Sequence, residues 1–273
     1  MTTIAPRLPR ALDGGSSGLV ASTLTITRRA ALRYIRTPQL IVMATVQMSL
    51  FFLIFRYMFG GAMRSLGMPY VDYLAPGFIT TGVLFSGIGA AVAMAEDMHD
   101  GFVDRLRSLP IPRSSVLSAR AIADTAILAL AAALTVAVAF AVGFRLEGST
   151  TQALAAFGLV IVFGFALEWP FIVIGLYSKT PQAAQGMGMI VFPFAFVSSA
   201  YVPVDSMPGW LQVFAKYQPL TYMTDAVRSL TLGPNSAALL GHPTSYFVTR
   251  ALAWSAVILL VSAPVAVARY RKG

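Results

Sequence analysis

The chain contains no cysteine among its 273 residues. Disulfides, thiolate metal centres and cysteine nucleophiles are therefore excluded, and redox chemistry carries no information about compartment. Charge is scarce too. Asp, Glu, Lys and Arg make up 11% of the residues, while 57% are hydrophobic and the mean hydropathy is +0.72. A soluble domain averages about 25% charged residues, so this is an integral membrane protein. Histidine is limited to His99 and His242, which stand apart with no third ligand in view; each reads as a solvated loop residue rather than a zinc ligand. No phosphate-binding loop is present either: the pair Lys179-Thr180 follows Ser178 and has no glycine loop upstream, so any ATP is handled by another chain. No internal repeat is evident, which weighs against transporters built from repeated halves.

The charge that is present is net positive, +9, and falls at the ends of apolar runs. That placement argues for positive-inside topology and against a nucleic-acid surface. Residues 1–18, rich in Pro and Gly, read as a disordered cytoplasmic tail. Residues 19–37 alternate Leu24, Ala31, Leu32 and Ile35 with Arg28, Arg29, Arg33 and Arg36, as in an amphipathic helix lying on the inner membrane surface. A helix needs about 20 apolar residues to cross the hydrocarbon. This requirement predicts six spans within 38–268, near Gln39–Phe59, Tyr73–Ala95, Ala121–Phe144, Gln152–Tyr177, Gly186–Val202 and Phe247–Ala268, followed by a cytoplasmic tail at 269–273. Arg64, Arg145, Lys216 and Arg228 then fall on one side, Arg56 and Arg250 at boundaries, and the other fourteen of the 20 bases on the side of the termini. The termini are therefore expected in the cytoplasm, and the protein in the plasma (inner) membrane.

The densest charge mid-chain is Glu96 to Arg120, where Phe102, Val103, Leu106 and Leu109 recur at helical spacing before Pro110 and Pro112 stop the helix. The segment from Pro203 to Tyr246 is too long for a turn and too apolar for a soluble loop; it reads as a re-entrant or interfacial pair of half-helices capping the outer mouth. Two acids fall inside apolar spans. Asp124 is placed to pair with Arg120 at i−4. Glu168, followed by Trp169 and Pro170, has no base nearby in sequence; it is expected to be neutral, paired across the bundle or facing a wet cavity, so a structural pair and a substrate path both remain open. Phe192, Phe194, Phe196 and Tyr201 either line an apolar path or face lipid, and Pro193 is expected to bend their span. Gly82, Ser86, Gly87, Ala90 and Ala91 allow close helix packing, within the subunit in preference to a dimer seam.

Three stretches carry a family resemblance. The first is an acid after the second span, a glycine, then Asp104-Arg105-Leu106-Arg107-Ser108-Leu109-Pro110 with Arg113 and Arg120. The second is Val202-Pro203 through Met207-Pro208-Gly209-Trp210-Leu211, then Gln218-Pro219-Leu220-Thr221-Tyr222 and Asp225-Ala226-Val227-Arg228. The third is Ser178-Lys179-Thr180-Pro181-Gln182-Ala183-Ala184-Gln185. In this order they resemble the permeases of type-2 ABC exporters, in particular the actinobacterial daunorubicin-resistance type.

That resemblance implies an all-α membrane protein of six transmembrane helices, with an N-terminal amphipathic helix, a cytoplasmic coupling helix at about Gly101 to Leu109, and outer re-entrant helices at Pro208–Tyr217 and Thr221–Leu232. It implies a non-enzymatic transport subunit working with two copies of a separate ATPase, which bind the ATP and Mg, and with a second permease copy or paralogue. Phe102, Asp104, Arg105, Leu106, Arg107 and Leu109 would form the ATPase-coupling element, and Glu168, Trp169, Phe192, Phe196 and Tyr201 are the candidates for a substrate path. The cargo class would be amphipathic drugs or lipids. An exporter of cell-wall lipid or glycoconjugate is the alternative. Less favoured are a proton-coupled transporter using Glu168, which would work without any ATPase partner, and a membrane-embedded enzyme using Glu168, Asp124 and His99, which wants its groups at one depth although Asp124 is near the inner face and His99 outside the membrane.

Overall fold

Long apolar runs with few interruptions leave a chain in hydrocarbon only the helix, since backbone polar groups must be satisfied within the segment. The computed structural model describes residues 38–61, 68–101, 103, 113–233 and 236–272, and its elements there are helices. In chain order they are α1 (Pro38–Phe59), α2 (Tyr70–His99), α3 (Arg113–Ala141), α4 (Thr150–Tyr177), α5 (Pro181–Gly188), α6 (Val191–Phe196), α7 (Gly209–Tyr217), α8 (Pro219–Leu232), α9 (Ser236–Leu240) and α10 (Thr244–Lys272). Four of them, α2, α3, α4 and α10, are long and apolar enough to cross a membrane. At 1.5 Å per residue, the 30 residues of α2 reach about 45 Å, well beyond the ~30 Å hydrocarbon.

Local chemistry sets the ends of these helices. Ser149 caps α4 through a reciprocal pair, its hydroxyl accepting from the Gln152 amide at 3.2 Å while the Gln152 side chain accepts from the Ser149 amide at 2.8 Å. Gly101, at φ +67°, follows the last residues of α2 in a backbone conformation that favours glycine. Thr180 caps α5, its hydroxyl accepting from the Ala183 amide at 3.1 Å.

The bundle centres on α2 and α4. About two thirds of their apolar windows are buried inside the chain (61% and 67%), against 28% for α3 and 22% for α10, which turn the remainder outward. Small residues bring the central pair together: a Cβ at Gly87 would lie 2.0 Å from the Phe171 ring, and one at Gly175 would lie 2.6 Å from the Ala91 carbonyl. Gly87, Ala90 and Ala91 are buried there, as expected for packing within one subunit.

Two expectations are revised. Gly186–Val202 does not form one continuous spanning helix: α5 ends at Gly188, α6 covers only Val191–Phe196, and the chain then runs without helix back across the start of α2. Gly186, Gly188 and Pro193 weaken helix continuity along this run, which apolar content alone does not reveal. Helices do form close to the expected bounds after Pro208, as α7 and α8, but they share no single role. α7 exposes Trp210, Val213, Phe214 and Tyr217, whereas α8 is buried over nearly its whole length, wedged against α2, α4 and α10. The tail at 1–18, the amphipathic stretch at 19–37, and Phe102, Asp104, Arg105, Leu106, Arg107 and Leu109 lie outside the described residues.

Candidate functional site

Polar side chains inside an apolar bundle are costly unless paired, so their positions mark where the chain spends stability on something other than packing. Two such nodes stand at opposite ends of α2.

The node at the Tyr70 end is built on α8. Asp225 and Arg228, three residues apart, share one face of that helix and form an ion pair. The Arg228 side chain is fully buried. Its Nε donates to the Tyr73 carbonyl at 3.2 Å, its Nη2 to the same carbonyl at 3.0 Å and to the Ser199 carbonyl at 2.8 Å, and its guanidinium lies 3.7 Å from the Tyr73 ring centroid. The Ser199 hydroxyl donates to Asp225 at 2.8 Å. One cation thus ties α8, the first turn of α2 and the non-helical return after α6. The same junction is laced by Tyr70 donating to the Tyr201 carbonyl at 2.7 Å, Tyr73 to the Ser199 carbonyl at 3.0 Å, and a Thr80–Thr224 hydroxyl pair at 2.7 Å. Arg228, counted in sequence among the bases of the outer face, is instead a buried structural cation. The signal for it was present: an acid and a base three residues apart amid Thr221, Thr224 and Ser229, polar on more than one face of a helix in a chain otherwise sparing of charge.

Beside this node lies a cavity of about 320 Å³ whose lining includes Tyr73, Asp205, Tyr222, Asp225, His242 and Tyr246. Lys216 pairs with Asp205 at 3.1 Å, and Arg250 stacks 3.5 Å from the Tyr246 ring centroid. His242 is exposed, but it also stacks on Tyr246 at 4.0 Å.

The candidate path residues separate into two groups. Phe192, Phe196 and Tyr201 belong to one aromatic ladder: Phe85 to Phe192 at 4.7 Å, Phe192 to Phe196 at 6.3 Å, Phe196 to Tyr201 at 5.3 Å, and Tyr201 to Phe55 at 4.9 Å. Phe192 and Phe196 keep an exposed edge, while Tyr201 is buried and donates to Thr81 at 3.0 Å. Glu168 and Trp169 are elsewhere. Both are buried on α4; Trp169 packs in the cluster of Met94, Leu117, Ile172 and Tyr270, toward the His99 end, and so does not join the ladder.

The second node stands at that His99 end, at the feet of the segment that joins α2 to α3. Arg120 donates through Nε to Asp124 at 2.8 Å, the i,i+4 pair expected from sequence, and through Nη1 to Asp97. Asp97 was not expected in this role. Separated from Arg120 by 23 positions, it closes the segment between α2 and α3 like a clasp. Val103, inside that segment, is buried in the same cluster as Trp169 and Leu117. His99 is exposed at the end of α2.

The family model described as ABC-2 type transporter matches residues 21–232. A daunorubicin resistance ABC transporter permease of Streptomyces coeruleorubidus is 29% identical over 277 residues, covering 99% of this chain and 94% of its own length. A probable doxorubicin resistance ABC transporter permease of Mycobacterium tuberculosis is 25% identical over 273 residues, covering 97% of this chain and 94% of its own. A putative transport permease of Porphyra purpurea is 24% identical over 211 residues, covering 74% of this chain and 71% of its own.

Proposed function

This chain belongs to the ABC-2 type transporter family, and from that premise we propose that it is the membrane permease of an ATP-driven exporter, moving amphipathic drugs or lipids outward from the cytoplasm or inner leaflet. The family match, spanning most of the chain, is the observation that carries this reading. The names of the relatives point to drugs as cargo. The absence of a phosphate-binding loop from the sequence calls for a separate ATPase; the family resemblance implies two copies of it and a second permease completing the channel.

In this reading the His99 end faces the cytoplasm, and α1 together with the broken 181–202 segment supplies the two crossings beyond α2, α3, α4 and α10. The ATPase docks on the segment between Glu96 and Arg120, with Leu106 and Phe102 as apolar anchors and Arg105 and Arg107 at the rim. Residues 19–37 lie along the membrane surface beside it. Amphipathic cargo meets the exposed edges of Phe192 and Phe196 and leaves toward the Tyr70 end. Closure of the ATPase pair pushes on the docked segment, and the two permeases rearrange around a central path.

Inverted membrane vesicles carrying the chain and its separate ATPase test the proposal. ATP-dependent accumulation of daunorubicin is expected, and Leu106→Asp should abolish both accumulation and co-purification of the ATPase while the permease stays in the membrane. Unchanged co-purification and transport in that variant would remove the docking assignment. Wild-type vesicles that accumulate neither daunorubicin nor a fluorescent lipid with ATP would remove the exporter reading.

A further inference from the structure

A guanidinium has donors enough for two carboxylates, and Arg120 gives them to Asp97 and Asp124. Asp124 is one turn along the same helix, so that bond survives any movement of α2 or α4 relative to α3. The bond to Asp97 is of another kind. It crosses from α3 to α2, and it holds together the two feet of the segment on which the ATPase is proposed to dock.

A third carboxyl reaches the same level from α4. Consecutive helices α3 and α4, joined by residues 142–149, run antiparallel, and their register is fixed where Leu128 packs on Gly164: a Cβ there would stand 2.7 Å from Leu128 Cδ1. One turn toward the His99 end on each helix sets Asp124 opposite Glu168. Glu168 is 2% exposed, and its Oε2 accepts no hydrogen bond. A buried acceptor without a donor is unfavourable, and a donor that reaches it in another conformation accounts for its presence.

We propose that Arg120 exchanges carboxylates during the transport cycle, bound to Asp97 in the conformation described here and to Glu168 in the alternate one, with Asp124 as its constant partner. The exchange moves one ion pair from the α2–α3 seam to the α3–α4 seam. The ends of α2 and α3 are clasped in one state and released in the other, which is the differential contact a two-state element needs. This inference rests on the permease reading above. Arg120 and Glu168 act as positioning residues; neither is required to touch cargo.

The cysteine-free sequence makes the test direct. Met94→Cys and Leu117→Cys place a thiol on α2 and on α3 within one buried cluster beside the clasp, so cross-linking by a short bifunctional thiol reagent in the ATPase complex in vesicles reports separation of the two helices. With both thiols present and the clasp intact, cross-linking should be high without nucleotide and fall in the ATP-bound state. Glu168→Gln should keep it high in both states and slow transport about 5- to 150-fold, the range of ordinary coupling, with ATPase co-purification unchanged. Asp97→Asn should lower cross-linking already without nucleotide. Combining Asp97→Asn with Glu168→Gln should return cross-linking toward the wild-type value, because the two shifts oppose each other, whereas purely structural damage would accumulate. Wild-type transport in Glu168→Gln, or shifts of the same sign in the two single variants, would overturn the exchange. If Glu168→Gln fails to accumulate, nucleotide-free cross-linking in Asp97→Asn decides alone, and an unchanged value overturns the proposal. A wild-type complex that does not transport would refute the permease reading, while the nucleotide-free shifts would still read the exchange.

Discussion

Replacing Arg228 by methionine tests whether the node at the Tyr70 end is what holds α8 in the bundle. Methionine fills much of the same volume but leaves Asp225, 7% exposed, without its cation, and removes the guanidinium from the Tyr73 and Ser199 carbonyls, the latter keeping only the Tyr73 hydroxyl as donor. Breaking one partner of a buried pair typically costs about 3–5 kcal/mol. The lost stacking on Tyr73, at 3.7 Å, belongs to the desolvated cation–π class of about 2 kcal/mol, although the two losses overlap and do not simply add. At ~1.4 kcal/mol per factor of ten, the folded-to-unfolded ratio should fall by roughly a hundredfold to several thousandfold. The assay is thermal or SDS-driven unfolding of purified protein in detergent, followed by size-exclusion chromatography. The decisive comparison is Arg228→Met with Asp225→Leu: removing both charges together should recover most of the loss, since a buried pair replaced by well-packed apolar residues is often close to neutral. A single variant as stable as wild type, or a double variant less stable than the single, would refute the reasoning.

Two further substitutions probe the helix junctions. Gly77→Ala would place a Cβ 1.9 Å from the Ala200 carbonyl oxygen, backbone against backbone, and should destabilise by about 1–3 kcal/mol or more in the same unfolding assay, whereas Gly186→Ala, with open space around it, should cost little. Ser149→Ala should remove the capping box of α4 and cost about 1 kcal/mol, with faster hydrogen exchange confined to the first turn of that helix as its signature.

Four long helices were legible in the sequence because apolar length is a property of one chain segment and needs no knowledge of neighbours: the expected spans at Tyr73–Ala95, Ala121–Phe144, Gln152–Tyr177 and Phe247–Ala268 fall on α2, α3, α4 and α10. The Asp124–Arg120 pair was legible for the same reason, since i,i+4 spacing is local. What escaped was the tertiary part. The apolar run Gly186–Val202 has the composition of a span, but its glycines and Pro193 let the chain break and fold back over Gly77, where close backbone contact compensates. Arg228 looked like an outer base because a count of charges does not register that Tyr73 and Ser199 carbonyls wait for it. Asp97 and Arg120 are separated by the whole segment they close, so no spacing rule joins them. Glu168 was legible as an acid with no base nearby in sequence, and only the register of α3 against α4 brings it to the level of Asp124.

The burial of α8 bears on how the protein is made. Its polar groups, Thr221, Thr224, Asp225, Arg228 and Ser229, find partners on α2, in the return after α6 and within α8 itself, and the end of the helix is sealed by the Glu147 and Gly148 amides donating to the Thr231 carbonyl at 3.0 Å each. Its outer flank is covered by α10, which leaves the ribosome after it. A 14-residue helix carrying an acid and a base does not enter hydrocarbon on its own. Its insertion therefore waits for α10, and a chain cut short before Thr244 would present an open flank of α8 to the quality-control machinery of the membrane.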